Sequence, residues 1–436
     1  MSSHNPYQPQ EYVKLRHPEW SKNATIYEVN IRQFTPEGNF RAFEAHLPRL
    51  KALGIDILWL MPIHPIGEKN RKGEMGSYYS VKDYYAVNPE FGTMEDFKAL
   101  VKKIHDMGMY VIIDWVANHS AWDCDLVAEH PGWYTRTPEG NFQPTPWYDW
   151  SDIIDFDYNQ PGLRKYMTEA LKFWVRETDI DGYRCDVAGF IPVDFWDHVR
   201  KELDEIKPVF MLAEWESRDL HEHAFDMSYS WSLWEKMHEV ANGISGMHVL
   251  NEYMAHHVNT FPRNGYRMTF VDNHDKNSWE GTPFSNFGEA LEACMVMQCT
   301  VEGMPLVYSG QEAGLDRSLK FFDKDLIEWK EHRFADFYRT MFKLKHDNQA
   351  LWNGKYGGVM HRIENSRPEQ VISFARMMNE DAVVVLINFS TEPVEVELQG
   401  DFYHGQYQDV FSEENVMLDG DDIFKIDRYK YLVLSN

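Results

Sequence analysis

The sequence predicts a closed (β/α)8 barrel with a small insertion after its third strand and a C-terminal antiparallel β-sandwich. The first observation is that short apolar strands alternate with amphipathic helices over the first 350 residues or so. About eight such units in that length are typical of a closed parallel barrel. The second is that helical spacing disappears after residue 353, where strands and turns alternate. A doubly wound open sheet is the alternative, but no glycine-rich phosphate turn follows the first strand.

The barrel strands are predicted from continuous apolar runs, which are typical of strands buried on both faces of a parallel sheet. These runs are Ala24–Ile31, Asp56–Ile63, Met109–Val116, Gly182–Val187, Val209–Glu214, Tyr266–Val271 and Pro305–Tyr308. Pro48 interrupts the first helical pattern, so we expect a kink or a late start there. Thr93 and Asp96 have capping-box spacing and predict the start of the next helix. Later helices are predicted at Pro192–Ile206, Phe287–Val301 and Ile327–Leu344.

These elements divide the chain into three predicted domains. The catalytic barrel would occupy residues 1–116 and 161–352. Residues 117–160 are rich in Trp, Pro and Asp without a clear helical period, and predict an inserted loop domain. Residues 353–436 contain four strand-like runs and predict the β-sandwich.

Composition limits the partners of the protein. The chain has 69 acidic and 43 basic residues, a net charge of −26, which argues against binding nucleic acid or anionic membranes. It lacks an apolar run long enough to span a membrane, and its N-terminal segment lacks a signal-peptide core. We therefore expect a cytoplasmic protein, or an exported one whose leader is trimmed. The four cysteines have neither a disulfide framework nor metal-type spacing.

Ionisable residues cluster where the apolar strands stop. In a (β/α)8 barrel the C-terminal strand ends meet at one face, where catalysis takes place. A lone acid there is more often a helix cap or a salt-bridge partner, but acids at four strand ends indicate a shared site. The residues at these ends are Asp114, Asn118, His119, Arg184, Asp186, Glu214, Asp272, His274 and Asp275.

Acids of this kind without metal-type spacing favour glycoside hydrolysis, which needs a carboxylate and a carboxylic acid on either side of the scissile bond. Arg184 lies two residues before Asp186 and so shares its strand face. A fixed cation there would keep Asp186 ionised and nucleophilic. Glu214 follows the apolar run Phe210–Ala213, a setting that suits a general acid.

Six segments match a known family in order and spacing. They are DWVANH (114–119), GYRCD (182–186), LAEWE (212–216), FVDNHD (270–275), GSYYSVKDY (76–84) and GMPLVYSGQE (303–312). Through them the sequence resembles the α-amylase family of glycoside hydrolases (family 13) over nearly its whole length. The first four correspond to the signature regions of that family, the fifth to its tyrosine-bearing loop and the sixth to its eighth strand.

The resemblance implies roles for the matching residues. Asp186 would be the nucleophile, Glu214 the acid/base, and Asp275 the ligand of the 2- and 3-hydroxyls of a distorted sugar. Arg184 would orient Asp186, and Asp114 would brace Arg184. Three further residues would contact the sugar at the reaction centre, namely Tyr79, His119 and His274.

The sequence also departs from the family. Many starch-cleaving members follow the nucleophile with a Lys-His pair that touches the next sugar, whereas this chain has Val187-Ala188-Gly189-Phe190 there. The +1 and +2 subsites are therefore expected to be built differently, which puts strict α-amylase action in question. Asn118 matches a position that often binds calcium, but no aspartate-rich array accompanies it; the chemistry itself needs no cofactor.

Trp215 and Trp279, beside catalytic strand ends, are the favoured sugar-stacking residues; for Trp115, Trp122, Trp133, Trp147 and Trp150 we expect packing. The segment 221–231, with two close histidines, is interpreted as a solvated loop.

The leading hypothesis is a retaining hydrolase of α-1,4 bonds in maltooligosaccharides or starch-type glucans. An α-1,6-acting glucosidase or an α-glucan transferase of the same family is the alternative, since both use the same nucleophile. A non-catalytic glucan-binding protein is less favoured, because the chain keeps all three carboxylates at positions 186, 214 and 275.

Overall fold

Between residues 11 and 310 the chain forms ten strands. They are β1 Ile26–Val29, β2 Ile57–Leu60, β3 Tyr110–Trp115, β4 His119–Ala121, β5 Ile153–Asp155, β6 Gly182–Cys185, β7 Phe210–Ala213, β8 Met227–Tyr229, β9 Tyr266–Thr269 and β10 Met304–Tyr308. The computed structural model describes residues 11–420 and 422–436. Residues 1–10, part of the predicted barrel range, and Asp421 lie outside the described residues.

Eight of these strands, all except β4 and β5, close into a parallel barrel in the order β1-β10-β9-β8-β7-β6-β3-β2. Closure is made by β1, which pairs in parallel with both β2 and β10. The predicted (β/α)8 fold is confirmed. The strands are short and almost wholly buried, because helices cover the outside and side chains fill the inside.

In the part of the chain that the structure describes, twelve α-helices connect and cover the strands. They are α1 Ile31–Phe34, α2 Phe40–Glu44, α3 Leu47–Leu53, α4 Met94–Asp106, α5 Asp125–Glu129, α6 Pro161–Thr178, α7 Val193–Asp204, α8 Trp231–Ala241, α9 His248–Thr260, α10 Pro283–Phe287, α11 Leu291–Thr300 and α12 Arg333–Asp347. Thr93 and Asp96 form the predicted capping box of α4. Pro48 lies in the first turn of α3, so the pattern breaks into two helices with a late start of the second.

Two predicted helices differ from the observed ones. The run Phe287–Val301 is broken at Gly288, whose φ of 54° cannot continue a helix, so α10 ends there and α11 begins at Leu291. The run Ile327–Leu344 begins late, because Ile327 donates its N–H to Gln33 O (3.0 Å) in an extended segment. The helix starts only after His332, whose ring accepts from Phe334 N–H.

The interpretation of residues 221–231 as a solvated loop is wrong. Met227–Tyr229 form β8, the barrel strand missing from the predicted set, and His221 is fully buried. Its Nε2 lies 2.7 Å from Ser228 Oγ. Polar residues hide this strand in the sequence, because they are satisfied by other buried polar groups rather than by water.

The chain leaves the barrel after β3 and forms an insertion with a two-stranded antiparallel sheet, β4 and β5, before returning through α6. The C-terminal region forms a six-stranded and a three-stranded antiparallel sheet. Its strands are β11 Met360–Arg362, β12 Glu364–Asn365, β13 Val371–Met378, β14 Asp381–Asn388, β15 Val394–Gln399, β16 Gly405–Asp409, β17 Asn415–Leu418, β18 Ile423–Ile426 and β19 Tyr431–Ser435. The predicted insertion and C-terminal antiparallel layers are thus present, while the domain boundaries stay predictions.

Buried apolar side chains form two clusters, one in and around the barrel and one inside the C-terminal sheets. Within residues 11–420 and 422–436, no helix has the length and apolar character needed to cross a membrane.

Candidate active site

A cavity of about 480 Å³ opens at the C-terminal ends of the barrel strands. Seven of the predicted site residues line it, namely Tyr79, His119, Asp186, Glu214, His274, Asp275 and Trp279. The structure therefore brings together the three carboxylates that the strand-end argument selected. Arg184 and Asp114 are fully buried against this group.

Arg184 is the centre of the site. Its Nη1 donates to Asp114 Oδ1 and to Asp186 Oδ1, both at 3.0 Å, and its Nη2 lies 3.1 Å from Glu214 Oε1. The register of the barrel explains this arrangement, because Asp114 of β3 pairs directly with Arg184 of β6. One guanidinium thus holds Asp186 and Glu214 side by side, with Asp114 as the predicted brace.

Backbone bonds extend the strand ladders to Asp186 and Glu214. Asp186 N–H donates to Trp115 O and Glu214 N–H to Cys185 O, each at 3.0 Å. Asp186 and Glu214 are therefore the first residues after β6 and β7, and a bond to the neighbouring strand fixes the backbone of each. Such placement limits the movement of the carboxyl groups and pre-organises them for reaction.

Burial, and then the charge of Glu214, raise the pKa of Asp186 well above the ordinary carboxyl range. Arg184 and its hydrogen bond act in the opposite direction without reversing this. That Arg184 keeps Asp186 ionised stays a prediction.

Val187 fixes the other oxygen of Glu214. Its N–H donates to Glu214 Oε2 at 2.7 Å, while Arg184 faces Oε1. Val187 has a φ of 36°, a left-handed conformation that a β-branched residue rarely adopts. Strain of this kind costs on the order of 1–3 kcal/mol and concentrates at functional sites. Here it turns the backbone N–H toward the carboxyl of Glu214.

Tyr79 joins Asp114 to His274. Its hydroxyl donates to Asp114 Oδ2 at 3.0 Å and lies 2.9 Å from His274 Nε2. Burial raises the pKa of Tyr79 well above 10, so the phenol stays neutral. Burial also raises the pKa of Asp114 to about 6, against the opposing charge of Arg184. Trp59 Nε1 donates to the same Asp114 oxygen at 3.0 Å, which completes a buried bracing network.

Glu28 is a site residue that the sequence reasoning missed. It lies fully buried on β1, and one carboxylate oxygen lies 2.5 Å from His274 Nδ1. Burial alone would lower the pKa of His274, but the charges of Asp275 and Glu28 raise this pKa to about 9. His274 is therefore an imidazolium at neutral pH. The only signal was an acid inside the apolar strand Ile-Tyr-Glu-Val.

His119 differs from His274 in its charge. Burial lowers its pKa to about 4, so its ring is neutral. Its Nε2 lies 3.1 Å from the carbonyl oxygen of Tyr79, which assigns the proton to Nε2, and Asn118 Nδ2 lies 3.2 Å from Nδ1. Both ring nitrogens have protein partners, so contact of His119 with a sugar stays a prediction.

Of the tryptophans considered for sugar stacking, Trp279 and Trp150 line the cavity and Trp215 does not. Trp279 lines the cavity with 58% of its surface exposed, as a sugar platform requires. Trp150, for which packing was expected, lines it too, and its ring stacks on Tyr148 at 4.3 Å. Trp215 lies outside the cavity lining and contacts the ring of Phe190 at 5.2 Å. A stacking role for Trp215 stays a prediction.

Asn118, the possible calcium ligand, lies close to two polar side chains of the insertion. Its Nδ2 lies 3.2 Å from Asp155 Oδ1 and 3.4 Å from Thr145 Oγ1, so one carboxylate, one amide and one hydroxyl meet there. Calcium takes six to eight oxygen ligands, usually several of them carboxylates. Among the residues that the structure describes, no group of three or more His, Cys, Asp or Glu side chains could hold a metal ion.

Several cavity-lining residues lie outside every motif. They include Lys72, Asp152, Phe321 and Phe322. They belong to the segments after β2, within the insertion and after β10, which meet only in the folded chain. The adjacent pair Phe321-Phe322 was the one visible signal, because two neighbouring aromatics cannot both be hidden easily in a surface segment.

Comparison with known proteins gives the family. The model of the α-amylase catalytic domain matches residues 19–354, and that of the maltogenic amylase C-terminal domain matches residues 361–433. The crystal structure of a noncanonic maltogenic α-amylase, AmyB from Thermotoga neapolitana, is similar with a TM-score of 0.87 and 33% identity, covering 95% of this chain and 99% of that one.

Two further relatives are more distant. The crystal structure of an α-amylase from Lactobacillus plantarum has a TM-score of 0.85 and 29% identity over 96% of this chain and 99% of that one. The α-amylase MalA of Haloarcula japonica is 25% identical over 94% of this chain. The chain spans 63% of the length of that relative. With a catalytic-domain match over most of its length, the chain belongs to the α-amylase family of glycoside hydrolases.

Proposed function

We propose that the protein hydrolyses α-1,4-glucosidic bonds in maltooligosaccharides or starch-type glucans and retains the α configuration. The observation that carries this is the pair Asp186 and Glu214, held by Arg184 at one edge of a cavity that Asp275 also lines. A retaining glycosidase needs two such carboxyls about 5–5.5 Å apart. Proteins named maltogenic α-amylase and cyclomaltodextrinase, each 25% identical, support the substrate class.

In the first step Glu214 donates its proton to the glycosidic oxygen while a carboxylate oxygen of Asp186 attacks the anomeric carbon. The bond from that carbon to the glycosidic oxygen breaks, and the leaving chain departs with the proton as its new hydroxyl. This step needs Glu214 in its acid form when substrate binds. Arg184, which contacts both acids, stabilises the negative charge that then remains on Asp186 before attack.

In the second step Glu214 acts as a base. It takes a proton from a water molecule whose oxygen attacks the anomeric carbon, and Asp186 leaves as a carboxylate. Two inversions give net retention of the α anomer. Val187 N–H and Arg184 hold both oxygens of Glu214 in place through the two steps.

Other residues act on the sugar between the two carboxyls. Asp275, with 43% of its side chain exposed, would accept hydrogen bonds from the 2- and 3-hydroxyls. These contacts strengthen as the ring flattens toward an oxocarbenium-like transition state. Tyr79, a neutral ring in the cavity wall, would pack against the apolar face of the sugar.

The alternatives within the family stay open to test. An α-1,6-acting glucosidase or an α-glucan transferase uses the same three carboxylates, and differs in the linkage accepted or in whether water resolves the intermediate. A non-catalytic glucan-binding protein is disfavoured, since Asp186, Glu214 and Asp275 are all present at the cavity. The chemistry drawn from these residues uses no cofactor, and a cytoplasmic location stays a proposal.

Product analysis with maltoheptaose and panose side by side tests the proposal, with the anomers followed by NMR. We expect shorter α-maltooligosaccharides from maltoheptaose and little cleavage of panose. Longer products would identify a transferase, and rapid release of glucose and maltose from panose an α-1,6 enzyme. No turnover of either substrate would contradict the proposed activity.

A further inference from the structure

Glu214 belongs to a short irregular segment that follows β7. Residues 214–218 of this segment are neither helix nor strand, so no regular ladder holds their backbone. The residue after Glu214 has one such bond, because Tyr229 N–H donates to Trp215 O at 3.1 Å. The next residue, Glu216, is held through its side chain instead.

The carboxylate of Glu216 accepts three hydrogen bonds from two other elements. Ser232, in the first turn of α8, donates its N–H to Oε2 at 2.9 Å and its hydroxyl to Oε1 at 2.6 Å. Arg267 of β9 donates from Nη2 to the same Oε1. Bonds to a charged group are stronger than neutral ones, and an acid is favoured at a helix N-terminus. These three residues, called here the Glu216 cluster, join the segment after β7 to α8 and β9.

Arg267 is the fixed member of this cluster. It lies on a barrel strand and is buried, with its guanidinium over the ring of Phe261 at 3.4 Å from the ring centre. Its Nη2 also donates to the carbonyl oxygen of Tyr229 at 2.7 Å. In the part of the chain that the structure describes, Glu216 is the only acid that pairs with Arg267. Because a buried cation needs such a partner, the pair is expected to stay closed.

Two short connections lead from the Glu216 cluster to groups that act in the proposed mechanism. Glu214 lies two residues before Glu216 in the same irregular segment, so a shift of Glu216 moves the backbone that carries the Glu214 carboxyl. Tyr229 makes the second connection, because its carbonyl oxygen accepts from Arg267 and its hydroxyl accepts from Arg184 Nε at 3.2 Å. Misplacement of a reacting group by about 1 Å can slow a reaction on the order of 100-fold.

We propose that Glu216 is a positioning residue, through which Arg267 and Ser232 hold the general acid Glu214 in place for proton transfer. This role rests on the proposed function and adds to it a residue outside the cavity lining. Glu216 acts through Glu214 rather than on the sugar. Its loss should therefore slow bond cleavage most where the leaving group needs a proton.

The test compares two substrates that differ in this need. The leaving group of maltoheptaose is a sugar oxygen that Glu214 must protonate, whereas α-maltosyl fluoride releases a stable fluoride ion when Asp186 attacks its anomeric carbon. We expect Glu216→Gln to lower kcat/KM for maltoheptaose at least about tenfold and to change kcat/KM for the fluoride less than about threefold. An equal loss on both substrates, or no loss on either, would overturn the inference. Failure of the wild type to turn over either substrate would contradict the proposed function instead.

Ser232→Ala is a milder second variant, because it keeps the pair of Glu216 with Arg267 and removes only the hydroxyl that donates to Oε1. We expect a loss of about threefold on maltoheptaose, with the fluoride unaffected, as removal of one hydrogen bond gives. A loss of the same size on both substrates would show that the hydroxyl stabilises the fold without positioning Glu214.

Asp204→Asn is the matched control. Asp204, at the end of α7 and away from the cavity lining, also accepts from a buried arginine and a backbone N–H. These donors are Arg200 Nε at 2.8 Å and Val209 N–H at 3.3 Å. The control should lower the urea midpoint, as Glu216→Gln should, but leave the ratio of the two kcat/KM values unchanged. A change of this ratio in Asp204→Asn equal to that in Glu216→Gln would show that general destabilisation, rather than the position of Glu216, causes the effect.

Discussion

Asp186 and Glu214 face a single guanidinium, so neutralising one of them changes the surroundings of the other as well as the chemistry. We expect Asp186→Asn to lower kcat at least about 10³-fold, as loss of a nucleophile does elsewhere. The amide keeps the size of the side chain and can still contact Arg184, so the fold and glucan binding should persist. Steady-state turnover and calorimetric titration with a maltooligosaccharide measure the two effects separately.

The control for this experiment is Asp194→Asn. Asp194 is an exposed acid on α7 that pairs with Arg164 at 2.7 Å. Its loss should leave turnover within a factor of about two, because surface ion pairs contribute little. Near-wild-type turnover of Asp186→Asn would show that another group is the nucleophile.

Glu28 gives a prediction about pH. The pKa of His274 is raised from 6.5 to about 9 in the folded protein. The contribution of His274 to the free energy of unfolding is therefore fully present below pH 6.5 and is lost as the pH rises through 9. The change is on the order of 3 kcal/mol. In Glu28→Gln one of the two carboxylates that hold this proton is gone. In this variant the loss of stability should therefore be smaller and begin at lower pH. The alkaline limb of the kcat/KM profile should also move to lower pH.

Urea unfolding between pH 6 and 9.5 measures the stability part of this prediction. Glu312→Gln is a suitable control, because Glu312 is a second buried acid near the barrel that accepts from Tyr27 at 2.8 Å and Arg49 at 2.7 Å instead. It should lower the overall stability but keep the wild-type dependence on pH. Parallel curves for Glu28→Gln and the wild type would contradict a positioning role for Glu28.

The difference between Asp186 and Glu28 shows what sequence reveals about single residues. Asp186 was predicted because it ends an apolar strand and lies in a recognisable motif. Glu28 lies in the middle of a strand, and its partner His274 is 246 residues away in the chain. Only barrel closure, which places β1 beside β10 and near the end of β9, brings the two together. Nothing local in the sequence marks such a pair.

Secondary-structure elements were predictable where apolar periodicity sets them. Six of the seven predicted strands coincide with observed strands that lie wholly within them, and β10 begins one residue earlier at Met304. β8 escaped notice because it is three residues long and its neighbour Asp226 is polar. Asp226 is nevertheless buried, and it accepts from Arg200 Nη1 at 2.7 Å and from Met211 N–H at 2.8 Å. A strand stabilised by buried polar contacts carries no apolar signal.

The elements that shape the cavity were the least predictable. Lys72 and Asp152 are 80 positions apart, and neither lies in a helix or strand. Their contact depends on how two irregular segments lie on the barrel, which no periodicity encodes. The acids at the strand ends could therefore be predicted from sequence to lie together, whereas the contact between Lys72 and Asp152 required the structure.

At the largest scale, the C-terminal sheets are joined to the barrel by a buried cation. Arg376 of β13 is 1% exposed and donates to four backbone carbonyl oxygens, none of them in its own strand. Two of these belong to Thr300 and Val301, at the C-terminal end of α11, at 3.2 and 2.8 Å. Burial lowers the pKa of Arg376 to about 10, so it is still charged at neutral pH, where a cation suits a helix C-terminus.

We expect Arg376→Leu to destabilise the protein by about 3 kcal/mol, because buried carbonyls lose their donors. The substitution should also make the barrel and the C-terminal sheets unfold separately. All 15 Trp residues precede residue 353, so tryptophan fluorescence follows the barrel while far-UV circular dichroism follows both parts. The two urea midpoints should coincide in the wild type and separate in the variant. Arg362→Leu, on exposed β11, should change stability by less than about 0.5 kcal/mol. Coincident, wild-type midpoints in Arg376→Leu would show that the contact between the sheets and the barrel does not depend on this residue.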